Sequence, residues 1–332
     1  MTSNGLVDRF GRQITYLRMS VTDRCNFRCT YCMPEEGLRV LGRYNLLTFE
    51  ELSRLGSVFV GEGIRKIRLT GGEPLLRRDL HLLVHELSRL SDLQDLCLTT
   101  NGHLLAELAE PLAQAGLHRV NVSLDSLNPQ KFEHITRGGN LQRVLEGLEK
   151  AAQCFPGPIK VNVVVSQNFN DDEILDFARL TLNPGYTVRF IEQMPMSALA
   201  AWERGQVLSV ITLREQIAEA FELEPVTENG KLSGPASCYR IPGAKGELGF
   251  IGAVTDEFCS RCNRIRLTPD GKLRGCLMSD GEIDFLEALR RGIGDDGLRE
   301  LIAQVMRVKP EKHTINEITF IRPERTMSQI GG

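Results

Sequence analysis

The chain contains no apolar run approaching the ~18 residues that a membrane span requires. Its opening, Met-Thr-Ser-Asn-Gly-Leu-Val-Asp, lacks the basic and apolar regions of a secretory signal. Charge of neither sign dominates. Forty basic residues stand against 43 acidic ones, and a net charge of -3 favours neither nucleic acid nor a membrane surface as a partner. Histidine is scarce, with six residues, and none lies near the last three cysteines. There is no Walker-type phosphate loop, so a bound phosphate would have to be held by side chains. No low-complexity tract is present, and no repeat beyond an alternation of β and α segments. These absences leave a globular protein of 332 residues, about two domains in length. Nine cysteines without an export signal predict a reducing cytoplasm, where metal sites are commoner than disulfides.

What is present is concentrated. Cys25, Cys29 and Cys32 lie at spacing C-x3-C-x2-C within eight residues. Three thiols that close together call for a shared ligand. Iron–sulfur clusters are held by cysteine thiolates, and a four-iron cubane normally takes four of them. The next cysteine is Cys97, so one iron would stay open to a ligand that is not protein. Zinc competes, but structural zinc takes four ligands, and this run offers three and no histidine. A disulfide would leave one of the three unpaired. Cys259, Cys262 and Cys276 form a second set at C-x2-C-x13-C. Zinc is a fairer competitor there, yet a fourth ligand is again missing. Spacing and ligand count favour a second three-cysteine cluster.

Short β-type runs at 16–21, 66–70, 95–100, 119–124, 159–165 and 187–192 alternate with amphipathic stretches near 48–60, 79–90, 104–116, 140–153, 172–181 and 212–222. Six β-then-α units predict a parallel sheet with helical crossovers, either curled into a barrel or open and doubly wound. Buried parallel strands are ordinarily apolar throughout. Here every second residue is polar: Arg18, Ser20 and Thr22; Lys66, Arg68 and Thr70; Asn121, Ser123 and Asp125; Lys160 and Asn162; Thr187 and Arg189. Alternation puts each set on one side of the sheet. A polar lumen predicts an incomplete, wider barrel around a ligand. Arg18, Lys66, Arg68, Lys160 and Arg189 make that lumen cationic, and a polyphosphate is the matching counter-charge. After residue 222 the loops become rich in Gly, Pro and Ser, notably 227–237. Short strands at 247–254 and 264–268 and helices near 283–291 and 297–307 follow. We therefore divide the chain into residues 1–222 and a second module at 223–332.

The first cysteine run, with Tyr31 before its last cysteine, resembles the signature of the radical S-adenosylmethionine (SAM) enzymes. Thr70-Gly71-Gly72-Glu73-Pro74, about forty residues later, is similar to that family's GGEP motif. The second cysteine set, Arg264 and Arg266 between its second and third members, and the Gly331-Gly332 ending narrow the resemblance to the GTP 3′,8-cyclases of molybdenum-cofactor biosynthesis, over essentially the whole chain. The resemblance implies an α/β fold: an incomplete (β/α)6 triosephosphate-isomerase-type barrel, with a C-terminal α+β module closing its open side. It implies two [4Fe-4S] clusters, one at Cys25, Cys29 and Cys32 and one at Cys259, Cys262 and Cys276. SAM on the first would yield a 5′-deoxyadenosyl radical that removes the ribose 3′ hydrogen of GTP, and C3′ would then attack C8 of the purine. The second would hold the guanine.

By motif, Tyr31, Gly72, Ser123 and Met194 would touch SAM. Arg18, Arg68, Thr99 and Lys160 would contact GTP, beside the lumen cations Lys66 and Arg189. Arg264 and Arg266 would lie near the second cluster. Gly331 and Gly332 would enter the active site, with Arg18 as the tail's partner. Implied partners are a flavodoxin- or ferredoxin-type electron donor, a downstream cyclic pyranopterin monophosphate synthase and a second copy of the chain. Competing readings are a radical SAM peptide modifier with an auxiliary cluster, a two-cluster electron-transfer protein and a zinc-dependent binding protein. His81 and His85 read as a solvated helix face, Gly292–Gly297 as a loop rather than a dinucleotide fingerprint, and Cys97, Cys154 and Cys238 as incidental thiols.

Overall fold

The computed structural model describes residues 5–196, 202, 207–227 and 234–331. A small hairpin, β1 (Leu6–Val7) and β2 (Gln13–Ile14), precedes β3 (Tyr16–Ser20). Then come α1 (Phe49–Gly61), β4 (Lys66–Thr70), α2 (Leu80–Ser88), β5 (Asp95–Thr100), α3 (Leu105–Gln114) and β6 (Arg119–Ser123). They are followed by α4 (Pro129–Thr136), α5 (Leu141–Cys154), β7 (Lys160–Val165), α6 (Ile174–Arg179), β8 (Thr187–Glu192) and α7 (Val210–Ala218). The last part holds β9 (Glu224–Val226), β10 (Ser237–Arg240), β11 (Leu248–Ile251), β12 (Arg264–Leu267), β13 (Lys272–Arg274) and β14 (Glu282–Asp284). Helices α8 (Phe285–Arg290), α9 (Asp295–Val308) and α10 (Met327–Ile330) end the chain.

All strands after the hairpin join one twelve-stranded sheet, ordered β14-β13-β12-β3-β4-β5-β6-β7-β8-β11-β10-β9. The eight strands from β12 to β11 run parallel. The two ends of the sheet do not pair, so the curl stays open, as an incomplete barrel requires. The strands after residue 222 extend both edges of this one sheet.

The predicted alternation is present. Leu17, Met19, Ile67, Leu69, Leu96, Leu98, Val120, Val122, Val161 and Val163 point outward and are buried in one continuous core beneath the helices. Helix α5 shows why these segments are helical. Asn140 caps it through the amide of Arg143, and Leu141, Val144, Leu148 and Ala151 form one buried stripe. In α1, Thr48 and Glu51 make a reciprocal capping box.

Some expectations shift. The helix expected at 212–222 is Val210–Ala218, because Ser209 caps it two residues early. Helix α4 was not anticipated, although Asn128 and Pro129 are a cap and a first-turn proline. The expected polar tail ends in α10, started by a Thr326–Gln329 capping box. Residues 228–233 of the expected 227–237 loop lie outside the described residues. Among the described residues, no helix is long and apolar enough to cross a membrane.

Candidate active site

The open barrel holds a cavity of about 270 Å³. Cys25, Cys29 and Cys32 line one end, on the loop that follows β3. Phe27 anchors that loop, buried edge-to-face against Phe132 of α4 at 5.9 Å. The amides of Arg28 and Thr30 donate to carbonyls at the end of α4. Gly71 and Gly72 press against the start of the loop, where a Cβ on Gly72 would lie 2.5 Å from the Arg24 carbonyl oxygen. Glu73 is buried and accepts from Leu75, Thr100 and Asn101, which locks this turn to the end of β5; burial pushes its carboxyl up to about 7.

Burial also pushes the three thiols up, Cys25 to about 11, Cys32 to about 12 and Cys29 well above the ordinary range. Thiolates are costly here unless a cation holds them. Among the described residues, no three His, Cys, Asp or Glu side chains converge on the position of a single metal ion. A cubane makes no such demand, because each thiolate binds a different iron. Three cysteines on one wall of a cavity therefore fit a cluster whose fourth iron faces the ligand space. Tyr31 and Asp125 flank them, joined by a 2.7 Å hydrogen bond, and burial raises the Asp125 carboxyl to about 6.

Cations cover the opposite wall. Strand pairing sets Arg266, Arg18 and Arg68 side by side on β12, β3 and β4, and one rung below it sets Arg264, Tyr16 and Lys66. Like charges in register repel. Nε of Arg18, Arg68 and Arg264 is buried without a hydrogen-bond partner among the described residues. Burial lowers Arg18, and burial with Arg18 and Arg264 lowers Arg266 further. Such a wall is stable when an anion fills it. Burial alone would raise the Tyr16 phenol, but Arg68 and Arg18 bring it down to about 8. Lys66 is already committed, ion-paired to Asp95 at 3.1 Å and lying over the Tyr16 ring. Arg68 donates to Thr99 at 3.1 Å. Asn121 is fully buried on the cavity wall, and neither atom of its side-chain amide has a partner among the described residues.

The C-terminal tail closes this space. The Ser328 amide faces the Cys32 sulfur, and Met327 and Ser328 line the cavity. Gly331 adopts φ +93°, and its carbonyl accepts from Arg266 at 3.1 Å. Arg18, the expected partner of the terminal carboxylate, donates to the Tyr16 hydroxyl at 3.4 Å. Gly332 lies outside the described residues.

The second cysteine set sits just beyond the cationic wall. Cys259 and Cys262 bracket a short turn before β12 and Cys276 follows β13; burial raises the Cys259 thiol, and Cys276 and Cys262 add to the rise. None of the three lines the cavity, but Phe258, Arg264 and Leu277 beside them do. Burial would raise Cys262, yet Lys309 and Arg264 bring its thiol down to about 7.

Residues 19–181 match the model of the radical SAM superfamily, and residues 186–315 match Molybdenum Cofactor Synthesis C. The chain is 47% identical to a GTP 3′,8-cyclase of Peptoclostridium acidaminophilum, over 98% of each chain. It is 46% identical to one of Moorella thermoacetica, over 98% of this chain and 99% of the relative. This chain belongs to the GTP 3′,8-cyclase family. Its fold is similar to that of Streptococcus suis SuiB bound to S-adenosylmethionine, with a TM-score of 0.64 at 13% identity over 96% of this chain and 77% of that one.

Of the residues expected from the cyclase family, Tyr31, Gly72, Ser123, Met194, Arg18, Arg68, Thr99, Arg264 and Arg266 all line one cavity, with Lys66 and Arg189. Lys160 does not line it. Burial, followed by Arg189 and Arg119, lowers its amine to about 7. Sequence reasoning missed Tyr16, Asp125 and Asn121 as site residues. Asn121 and Asp125 were legible as lumen-facing, but nothing in the sequence marks an amide as unpartnered. The contacts of Ser328 and Lys309 with cysteines depend on segments 296 and 47 residues apart and left no sequence signal.

Proposed function

We propose that this chain converts GTP to (8S)-3′,8-cyclo-7,8-dihydroguanosine 5′-triphosphate by radical SAM chemistry, the first step of molybdenum-cofactor synthesis. One observation carries the reading. A single cavity has three cysteines at one end and, at the other, Arg18, Arg68 and Arg264, whose Nε atoms have no hydrogen-bond partner among the described residues, on a chain 47% identical to a GTP 3′,8-cyclase. When bound, the first cluster and SAM supply the 5′-deoxyadenosyl radical that takes the ribose 3′ hydrogen. The chain's own residues bind, orient and shield. Tyr31, Gly72, Ser123 and Met194 hold SAM against the cysteine loop. The Gly72 amide donates to the Thr22 carbonyl, and an ammonium, which only donates, would be met by a backbone carbonyl of this turn. Arg18, Arg68, Thr99 and Arg189 grip the triphosphate, together with Lys160. Arg264 and Arg266 would face GTP beside Cys259, Cys262 and Cys276, which would hold a second [4Fe-4S] cluster able to supply a ligand position for the base. The Gly331 carbonyl fixes Arg266.

On this reading residues 1–222 are a (β/α)6 partial barrel, and 223–332 a module that closes its open side. A flavodoxin- or ferredoxin-type donor reduces the first cluster in the cytoplasm, a homodimer is the working form, and cyclic pyranopterin monophosphate synthase takes the product. Anaerobic incubation of the reconstituted protein with SAM, dithionite and GTP should yield 5′-deoxyadenosine and the cyclised nucleotide together. SAM cleavage with GTP recovered unchanged would refute the assignment.

Two further outcomes follow from the cationic wall. Lys160 is mostly neutral at about pH 8 without ligand, and a triphosphate, already fully ionised there, favours its ammonium. Tyr16 is drawn the same way, toward its neutral phenol. GTP binding should therefore take up protons at about pH 8, and affinity should fall as pH rises through that range. Calorimetry in two buffers of different ionisation enthalpy measures the uptake, and Lys160→Met should remove most of it.

Asn121→Leu should act in opposite directions on stability and binding. It removes an orphaned buried amide that costs ~1–3 kcal/mol, so the free protein should melt higher, while GTP affinity falls about tenfold. A lower melting point with unchanged affinity would make Asn121 merely structural.

A further inference from the structure

Lys309 caps the C-terminus of α9 and is 2% exposed. Its ammonium donates to the carbonyls of Gly275 and Arg264, the latter at 3.0 Å, and lies 3.6 Å from the Cys262 sulfur. Among the described residues no carboxylate pairs with it. A buried ammonium whose partners are two carbonyls and a thiol retains an uncompensated charge, which is strongly unfavourable. The anion nearest to hand is the cysteine set itself. The surrounding segment is built around that set. The His313 amide faces the Cys259 sulfur, and Arg12 ties the Cys259 carbonyl (2.8 Å) to those of Pro310 and Glu311 (2.7 and 2.6 Å). Gly275, next to Cys276, packs so closely that a Cβ there would lie 3.0 Å from that of Lys309.

We propose that Lys309 is the internal counter-ion of a cluster at Cys259, Cys262 and Cys276: it hydrogen-bonds the Cys262 thiolate and makes that cluster easier to reduce. The inference rests on the second-cluster reading above. Reduction adds an electron beside the thiolates, and a fixed positive charge in a poorly solvated site favours the reduced form. Lys309 is a positioning residue, since it touches neither substrate nor SAM.

The test uses full-length protein carrying Cys25→Ala, Cys29→Ala and Cys32→Ala, reconstituted anaerobically so that only the second site can hold iron. Redox titration followed by electron paramagnetic resonance reads its midpoint. Lys309→Met, close in shape but uncharged, should lower the reduced-to-oxidised ratio at a fixed potential at least tenfold, a negative shift of about 59 mV for one electron. Lys309→Arg should recover most of that shift. An unchanged midpoint in Lys309→Met with full iron content would overturn the proposal, and so would equal loss of iron in both variants. Loss in Lys309→Met alone, with the fold retained, supports it. Should both variants fail to fold, 15N-lysine labelling of the parent decides: a lysine nitrogen coupled to the reduced cluster supports the contact, and none refutes it. If the parent binds no iron at this site, the second-cluster reading has failed instead.

Discussion

Replacing Cys29 by alanine is expected to abolish SAM cleavage altogether. Cys29 lies between its partners in the loop, half-buried and close enough to both for their charges to act on its thiol. Its loss leaves two thiolates for a cubane that already has one iron without a protein ligand, and two do not retain it. Cys262→Ala should behave differently. Its set lies outside the cavity, beyond Arg264, so the SAM end of the site is untouched. That variant should still form 5′-deoxyadenosine, uncoupled from product, while cyclisation falls below detection. Chromatography of both products under anaerobic conditions separates the cases. If both variants cleave SAM at the same rate, the two cysteine sets do not divide the labour as argued, and a parent protein that holds zinc without iron would end the argument.

Gly331→Ala is expected to impair cyclisation far more than it impairs folding or cluster content. At φ +93° an L side chain is strained, at a cost of ~1–3 kcal/mol. The added Cβ would also sit 2.6 Å from that of Ser20 and 2.7 Å from Thr70 Oγ1. Both neighbours are buried in the strands that form the wall, so the tail must yield rather than the barrel. A displaced tail gives up the bond from Arg266 to the Gly331 carbonyl, and with it the Ser328 amide on Cys32. A loss of roughly five- to a hundredfold in cyclised product corresponds to that strain. Removal of the last two residues should act in the same direction. A truncated protein that makes the cyclised nucleotide at the parent rate would show that the tail has no part in the reaction.

Much of the barrel was legible because two local rules agreed. Residues 66–70 and 119–123 alternate in polarity with period two, and the segments between the strands carry caps and apolar stripes. Residues 212–222 were misplaced because Ser209 and Val210, not the apolar stripe, decide where α7 begins. Arg18, Lys66, Arg68 and Arg189 line the cavity, whereas Lys160 is not among its lining residues, and Lys66 shares the Asp95 carboxylate with Arg119. Pairing of that kind depends on which strand lies alongside, and strand order is not a local property.

The sequence by itself determined the chemistry the protein can hold. Spacing within eight residues brings Cys25, Cys29 and Cys32 to one ligand whatever the fold around them, and alternation commits Arg18 and Arg68 to the same side of their strands. Only the tertiary structure decided where that chemistry meets. Arg264 and Arg266 reach the cavity because β12 pairs in parallel with β3, nearly 250 residues earlier in the chain, which adds two arginines to the register of Tyr16 and Arg18. Lys309 meets Cys262, and Ser328 meets Cys32, because the C-terminal segments fold back over the open edge of the sheet. Local pattern cannot encode these contacts. They form only when closing the long loop between such segments is offset by burying the core, and that balance belongs to the whole chain.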